Sequence, residues 1–160
     1  MAALQLLCGK AGAGKSTLAG ELARREGRLL ISEDLWLSTL YHDEQKTIAD
    51  YVRNAARLKT AFGPHIVELL RQGMSVTLDF PGNTPAARAW AKSLAEQAHA
   101  EVELHWLDAS DSLCLQRLNM RNQQEEHPYK LSEAEFAHIT SFFIPPDESE
   151  GLKIVRYQAA

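Results

Sequence analysis

The stretch Gly9-Lys10-Ala11-Gly12-Ala13-Gly14-Lys15-Ser16, followed by Thr17, decides the fold of this chain. It fits the pattern G-x-x-x-x-G-K-[ST], in which glycines let the backbone curl so that successive N–H groups point at a phosphate. A short apolar run, residues 4–8, precedes the stretch, and apolar residues at helical spacing follow it. This context of strand, loop and helix predicts a phosphate-binding loop at a helix N-terminus, whose partial positive charge favours the same anion.

The side chains of this loop have separate expected roles. We expect Lys15 to reach the β- and γ-phosphates of a nucleoside triphosphate, and the hydroxyl of Ser16 to hold Mg2+. The backbone of the whole stretch would line the phosphates. The predicted nucleotide-binding residues are therefore Gly9, Lys10, Ala11, Gly12, Ala13, Gly14, Lys15, Ser16 and Thr17. The alternative is a glycine-rich turn that binds nothing, and the flanking strand and helix disfavour it.

Length and charge describe a single domain of ordinary composition. A chain of 160 residues is expected to form one domain with a sizeable core. Its formal net charge of -4 lacks the basic surplus of a protein that grips long nucleic acid. No basic region precedes Leu4, and no apolar run reaches a membrane-spanning length. We expect a cytoplasmic protein without membrane association, and its oligomeric state stays open.

The thiol and imidazole side chains do not point to a zinc site. Cys8 falls in a predicted strand and Cys114 in a predicted helix, where both are expected to be small buried hydrophobes in a reducing compartment. None of the 6 histidines has the ligand spacing of a zinc site with another histidine or a cysteine. The expected metal is therefore the Mg2+ that accompanies a nucleotide.

The hydrophobic pattern predicts five strands that alternate with helices, at residues 4–8, 28–32, 74–78, 101–107 and 152–156. This alternation is typical of a three-layer α/β/α domain with a mainly parallel sheet. Residues 43–62 read as a helix that Gly63 and Pro64 interrupt before a further helix, which gives a helical hairpin. Residues 123–128 read as a polar loop, and Ser132 with Glu135 predicts a capping box.

Two aspartates follow the predicted strands that end near the loop. Asp34 follows the second strand and Asp79 the third. Because the carboxyl ends of parallel strands meet at one edge of a sheet, both acids are expected close to the phosphate loop. Asp79 is expected to hold Mg2+ through water, with two alternatives: it replaces Asp34 as the acid that faces the substrate, or it is a plain turn residue. Asp34 would otherwise cap the segment that follows its strand.

With these residues in place, the chain resembles the small P-loop kinases. This family includes 5'-hydroxyl polynucleotide kinases, zeta-type toxins, chloramphenicol phosphotransferase and AAA_33-type predicted kinases. The resemblance covers nearly the whole chain and rests on the phosphate loop, Ser32-x-Asp34, Asp79 followed by Asn83-Thr84, and the pair Arg117 and Arg121 before a lid-like loop at about residues 117–131. It implies a P-loop NTPase fold of the nucleoside-monophosphate-kinase type over residues 1–160, with ATP and Mg2+ as cofactors. A helical segment at about residues 36–72 would face the substrate.

The resemblance also implies roles for individual residues. Lys15 and Ser16 match the ligands of the phosphates and the magnesium ion, and Asp34 matches the acid that accepts the proton of the acceptor hydroxyl. Arg121 matches the lid arginine that steadies charge on the transferring phosphoryl group, and Arg117 the arginine nearer the nucleotide. The implied catalytic residues are therefore Lys15, Asp34 and Arg121. The alternative for the arginine pair is a solvated helix face.

One departure from the family pattern bears on the substrate. Polynucleotide kinases carry an arginine that grips a substrate phosphate at the third position after the aspartate, and this chain has Leu37 there. We therefore expect a kinase that uses ATP and Mg2+ to phosphorylate a hydroxyl of a small-molecule acceptor. Nucleic acid is disfavoured, although Arg53, Arg57 and Lys59 would support a polynucleotide 5'-hydroxyl kinase. A nucleotide-binding regulatory module without phosphotransfer is the alternative of another class, and the absence of an N-K-x-D motif favours ATP over GTP.

Overall fold

A computed structural model describes residues 1–124 and 131–159 of the chain. Strands and helices alternate along the sequence, with one additional turn of 3-10 helix before the last strand. The elements are β1 (Ala3–Cys8), α1 (Lys15–Ala23), β2 (Arg28–Ser32), α2 (Glu33–Leu40), α3 (Ile48–Arg71), β3 (Ser75–Pro81), α4 (Pro85–Gln97), β4 (Glu101–Ala109), α5 (Asp111–Gln124), α6 (Glu133–Thr140), the turn Glu148–Glu150 and β5 (Lys153–Ala159).

The sheet has the order β2-β3-β1-β4-β5, and each strand runs parallel to its neighbours. The apolar run of β1 lies at the centre, where Leu4 is in register with Val76 on one side and with Val102 on the other. All carboxyl ends therefore meet at one edge, which is where parallel sheets bind ligands. This architecture confirms the predicted α/β/α P-loop NTPase fold.

Two apolar clusters support the sheet and the phosphate loop. The larger cluster joins the sheet to α3 and α4, and its members include Leu4, Leu78 and Ile66. The smaller cluster packs α5 and α6 against the loop through Ala13, Ala109, Cys114, Leu118, Leu131 and Phe136. Each large side chain of this kind contributes about 1.5–3 kcal/mol when it is fully buried. Cys8 and Cys114 are buried free thiols, as predicted.

A line of polar side chains crosses the sheet through its interior. Thr77 of β3 donates a hydrogen bond to Gln5 of β1, and Gln5 donates to Glu103 of β4. The imidazole of His105 joins Glu103 to the hydroxyl of Tyr157 on β5. Burial alone would raise the pKa of Glu103, but the hydrogen bonds from Gln5 and His105 outweigh it and leave that pKa below its usual value. Because each group finds a partner, the line ties four strands together in one register.

The predicted helical hairpin is wrong, because α3 runs through Pro64 as one helix of 24 residues. Leu58 and Ile66, on either side of the proline, lie on the same buried face, and their packing offsets the backbone hydrogen bond that proline cannot make. Gly63 is buried inside the helix and does not end it, and a Cβ there would make an ordinary van der Waals contact of 3.6 Å with Leu94 on α4. Among the described residues, no helix is both long and apolar enough to cross a bilayer.

The start of α3 also differs from the prediction. The helix begins at Ile48, where Thr47 and Asp50 form a capping box, and not at residue 43. Ile48 and Val52 are exposed, since the buried face of this first half consists of Asn54, Ala55 and Leu58. Because Asn54 is polar although it is buried, the sequence pattern did not show this face as an apolar stripe.

Three further elements, α2, β3 and α5, have boundaries that differ from the predicted ones. Ser32 caps a separate helix, α2, which begins at Glu33 and therefore before the helical segment expected from about residue 36, and Asp34 lies in its first turn. Strand β3 continues beyond Asp79 to Pro81. Helix α5 continues to Gln124, into the stretch predicted as a loop. The remainder of the predicted lid-like loop, residues 125–130, lies outside the described residues. The capping box at Ser132 and Glu135 is confirmed.

A buried carboxyl group joins α2 to α3. Glu33, which is only 2% exposed, accepts a hydrogen bond from the hydroxyl of Tyr51. Burial raises the pKa of Glu33 to about 7, and the neighbouring carboxylates of Asp34 and Asp79 add to the effect, whereas Tyr51 and Lys59 oppose it. The folded protein therefore holds a proton at this site at a pH where a free glutamate would be ionised.

Replacing Pro64 by alanine tests the continuous helix. Pro64→Ala restores a backbone donor within α3 at an exposed position, so we expect the free energy of unfolding to rise by about 1–2 kcal/mol, less the small entropic benefit of proline in the unfolded chain. Chemical denaturation measures the change, with Arg57→Ala on the same helix as a control that should have little effect. A lower stability of Pro64→Ala would contradict this account of α3.

The pKa of Glu33 predicts a pH dependence of stability. Between its ordinary pKa of 4.5 and the folded value of about 7, the folded state binds a proton that the unfolded state has released. The contribution of Glu33 to stability therefore decreases as the pH rises through this window. Glu33→Gln keeps an oxygen acceptor for Tyr51 without the titration, so the unfolding free energy of the wild type should fall relative to the variant from pH 5 to pH 7. Parallel curves in urea denaturation would refute the assignment.

Candidate active site

The phosphate loop connects β1 to α1 through a backbone path that requires glycine. Gly12 and Gly14 have φ angles of 81° and 101°, and a Cβ on Gly12 would lie 2.6 Å from the carbonyl oxygen of Cys114. Gly14 is the N-cap of α1 and has no side chain that could accept hydrogen bonds from the first helical turn. The N–H groups of that turn therefore remain available to an anion.

Lys15 lies folded over the loop that it follows. Its ammonium group donates to the carbonyl oxygens of Gly9 and Lys10, at 2.6 Å and 3.0 Å. Burial lowers the pKa of Lys15, and the carboxylates of Asp79 and Asp34 oppose that shift. The cation is thus held above the loop by neutral carbonyl groups, which a phosphate would replace as a stronger partner.

Ser16 and Asp79 meet directly. The hydroxyl of Ser16 donates to Oδ2 of Asp79 across 2.7 Å, which joins α1 to β3. Burial raises the pKa of Asp79 and Asp34 adds to it, whereas the hydrogen bond from Ser16 and the charge of Lys15 lower it. Hydroxyl and carboxylate oxygens are the hard ligands that Mg2+ takes, normally together with substrate phosphates and water. The pair therefore fits the predicted metal position by its chemistry.

Asp34 lies within electrostatic reach of the other candidate residues. It is exposed in the first turn of α2, and its carboxylate influences the pKa values of Lys15, Asp79 and Arg121. These residues come from α1, β3 and α5. The structure therefore places Asp34 within electrostatic reach of Lys15, Asp79 and Arg121, all of which the sequence singled out.

The two arginines of α5 reach different parts of this edge. Arg117 donates to the carbonyl oxygen of Ala13 at 3.1 Å, and so contacts the phosphate loop itself. Arg121 is half-buried, and its Nε atom is shielded from solvent without a hydrogen-bond partner among the residues described. Burial lowers the pKa of Arg121, and Asp34 opposes that shift. A guanidinium whose Nε has no partner among the described residues, and whose pKa the charge of Asp34 affects, is suited to receive an anionic ligand.

The remaining loop residues contribute mainly their backbone. Lys10 directs its side chain away to Asp111, with an ion pair of 2.7 Å. Ala13 is buried in the smaller apolar cluster, Ala11 packs against that cluster, and Thr17 is exposed on α1. Of the nucleotide-binding residues predicted here, Lys15 and Ser16 therefore carry the side chains that face the other site residues.

Asn83 fastens the start of the loop to the end of β3. Its amide oxygen accepts from the N–H of Gly9 and its amide nitrogen donates to the carbonyl of Gly9, each at 2.9 Å. The preceding Gly82 donates to the carbonyl of Leu7, where the register of β1 and β3 shifts. A Cβ on Gly82 would come within 2.8 Å of that same oxygen, so this approach requires glycine.

Arg88 holds the turn that carries Asn83 in place through hydrogen bonds to its neighbours. This arginine of α4 is 1% exposed, donates through Nε to both carboxylate oxygens of Glu150 at 3.0 Å, and donates through Nη1 to the carbonyls of Gly82 and Ile144. The N–H of Ile144 in turn donates to the carbonyl of Asn83. A buried, fully hydrogen-bonded cation thus holds the segment after α6 against the turn that carries Asn83.

The sequence analysis did not assign a role to Arg88, Glu33 or Tyr51. Arg88 had a readable signal, because it occupies a position in the apolar stripe that continues through Ala91 and Ala95. Glu33 and Tyr51 had no such signal, since their contact depends on the angle between α2 and α3, which a sequence pattern does not give.

Replacing Asn83 by aspartate tests the loop attachment. Asn83→Asp still accepts from the N–H of Gly9 but no longer donates to its carbonyl, and it places a carboxylate against that oxygen. The loss of such a hydrogen bond costs about 1–3 kcal/mol, so affinity for MgATP should fall about tenfold or more in isothermal titration calorimetry. Asn119→Asp, an exposed substitution on α5, is the matched control. Equal affinities of the two variants would contradict the role of Asn83.

Comparisons with known proteins agree with this geometry. The family model AAA_33, described as an AAA domain, matches residues 4–146. A putative kinase from Chloroflexus aurantiacus superposes with a TM-score of 0.75 at 19% identity, over 98% of this chain and 84% of that one. APS kinase CysC from Mycobacterium tuberculosis, in complex with AMPPNP and APS, gives a TM-score of 0.60 at 18% identity over 99% and 90% of the two chains.

A gluconokinase from Sinorhizobium meliloti gives a TM-score of 0.60 at 16% identity, over 96% of this chain and 82% of that one. A search of the curated protein sequences finds no match. The family match spans most of the chain, and the solved structures share its fold. The chain belongs to the AAA_33 family.

Proposed function

We propose that this protein is a kinase that uses ATP and Mg2+ to transfer the γ-phosphoryl group to a hydroxyl of a small-molecule acceptor. The observation that carries the proposal is the position of Asp34, whose charge acts on Lys15, Asp79 and Arg121 at the carboxyl edge of the sheet. A carboxylate among a phosphate-binding lysine, an arginine and a candidate metal position is where an acceptor hydroxyl would need a base.

Each residue meets a separate requirement of phosphoryl transfer. The transition state spreads negative charge over the phosphoryl oxygens, so catalysis needs mostly positioning and charge neutralisation. Lys15 and Arg121 would supply positive charge, and Arg117 would act nearer the nucleotide. Asp34 would orient the hydroxyl and accept its proton. Ser16 and Asp79 would hold Mg2+, which supplies further neutralisation of the phosphate oxygens when bound.

The surroundings of α2 support a small acceptor over a nucleic-acid end. Leu37, at the position of the phosphate-gripping arginine in polynucleotide kinases, is 0% exposed and belongs to the core, so it cannot touch a substrate. The basic stripe on α3 is partly engaged elsewhere. Arg53 pairs with Asp50 at 2.9 Å, and Lys59 lies over the ring of Trp90 at 5.3 Å. Neighbours described as APS kinase and gluconokinase agree with a small substrate, whereas a neighbour from an RNA repair complex, with a TM-score of 0.64 at 15% identity, keeps the nucleic-acid end as the alternative.

A labelling experiment tests both the reaction and its acceptor. Purified protein is incubated with γ-labelled ATP and Mg2+, with a metabolite extract in one tube and a single-stranded oligonucleotide in the other. We expect a labelled small molecule that is absent with Lys15→Ala and reduced about 100-fold or more with Asp34→Asn. Asp43→Asn, an exposed aspartate that precedes α3, is the matched control and should keep the rate.

The other outcomes separate the alternatives. Label on the oligonucleotide alone would identify a polynucleotide 5'-hydroxyl kinase and overturn the small-molecule acceptor. Bound ATP without transfer in either tube would indicate a regulatory module. Retention of most of the rate by Asp34→Asn, alongside loss in Lys15→Ala, would keep the kinase and reject Asp34 as its base.

A further inference from the structure

Helix α2, which carries Asp34, is oriented largely by α3. The hydroxyl of Tyr51 donates to Glu33 in the first turn of α2, and one turn later Trp36 packs edge-on against Phe62, with ring centroids 4.8 Å apart. Both contacts lie on the same side of α2, because Glu33 and Trp36 are three positions apart. Asp34 is the next residue around the helix from Glu33, and it is exposed.

We propose that Glu33 and Tyr51 are positioning residues that fix the rotation of α2 and thereby the direction of Asp34. This inference rests on the proposed function, in which Asp34 meets the acceptor hydroxyl. The role proposed for both residues is indirect: Glu33 is 2% exposed, and Tyr51 contacts Glu33 from the first turns of α3. Their effect on the reaction passes through the helix that they hold.

The position of the Asp34 carboxylate is sensitive to the hydrogen bond between Tyr51 and Glu33. A side-chain tip lies about 5–6 Å from the axis of its helix, so a rotation of about 10° moves it by about 1 Å. A displacement of about 1 Å at the reacting groups costs on the order of 100-fold in rate. Glu33 shares a helical turn with Asp34, so the hydrogen bond acts on the part of α2 where rotation matters most.

The environment of Glu33 explains why its partner is required. Its burial raises the pKa, and the charged groups that act on it are Asp34 from its own helix, Asp79 from β3 and Lys59 from α3. A carboxyl that loses its hydrogen-bond donor in such a place must either bind a proton or move toward water. Movement of Glu33 toward water would shift the first turn of α2, since Glu33 is part of that turn.

The test compares two tyrosine variants. Tyr51→Phe keeps the ring and removes the hydroxyl, and we expect kcat to fall about 10-fold while KM for ATP stays unchanged. Tyr41→Phe is the matched control, because Tyr41 is half-buried, packs against the same core and follows the other end of α2. Equal kcat values for Tyr51→Phe and the wild type would overturn the proposal.

Substitutions of Glu33 separate positioning from simple loss of structure. Glu33→Gln retains an oxygen that accepts the hydrogen bond from Tyr51, so it should keep more activity than Glu33→Ala. In the Asp34→Asn background, Tyr51→Phe should cause no further loss, because the group that it positions is no longer a base. A full additional loss in that double variant would show that Tyr51 acts elsewhere and would reject the proposal.

A measurement without turnover distinguishes failure of this inference from failure of the proposed function. The side-chain carboxyl 13C shift of Asp34 is compared at fixed pH in the wild type, Tyr51→Phe and Tyr41→Phe, with Asp34→Asn for assignment. We expect Tyr51→Phe alone to move the Asp34 signal, while calorimetric affinity for ADP stays constant in all three. An unchanged signal would overturn the positioning role, whether or not the wild type transfers phosphate.

Discussion

The double hydrogen bond between Asn83 and Gly9 is the constraint on which the rest of the site depends. A strand that ends in a phosphate-binding loop must release its backbone from the sheet so that N–H groups can turn toward an anion. Asn83 supplies the N–H and C=O of Gly9 with the partners that a neighbouring strand would otherwise provide. Arg88 then fixes the turn on which Asn83 stands, by bonding Gly82, Ile144 and Glu150. The loop can therefore have an irregular shape because its first residue is held rigidly.

Electrostatics reinforce this preorganisation. Lys15 and Arg121 have lowered pKa values and Asp79 has a raised one, in each case because burial disfavours the charged form. Positive groups that are poorly solvated, such as Lys15 with its neutral carbonyl partners, gain more from an incoming phosphate than exposed ones would. Folding thus buries charged side chains at a cost that a bound ligand of complementary charge would offset. Shifted pKa values of Lys15, Asp79 and Arg121 at one edge of a parallel sheet agree with a candidate phosphate-binding site there.

Sequence patterns predicted those parts of the molecule that local rules control. The phosphate loop, the five strands and the capping box at Ser132 depend on short-range spacing, and the structure contains them. The errors occurred where packing overrides local preference. Pro64 stays inside α3 because Leu58 and Ile66 are buried on the same face, and Asn54 conceals that face by its polarity. The roles of Asn83 and Arg88 could not be predicted without knowing which segments of the chain are in contact. The position of Arg88 in the apolar stripe of α4 was the one local sign of its burial.

The two halves of the candidate site are therefore built in different ways. The proposed nucleotide half is the phosphate loop, residues 9–17, which follows the central strand β1. Hydrogen bonds to its backbone fix its shape, so its sequence is restricted to a recognisable motif. The acceptor half depends on α2, at the edge of the sheet, and α2 is held by side chains such as Glu33, Trp36 and Leu37. Side-chain packing of this kind accepts many different sequences, provided that each contact has its partner. It follows that in this chain the shape of the phosphate loop depends on backbone hydrogen bonds, whereas the direction of Asp34 depends on the side chains that hold α2.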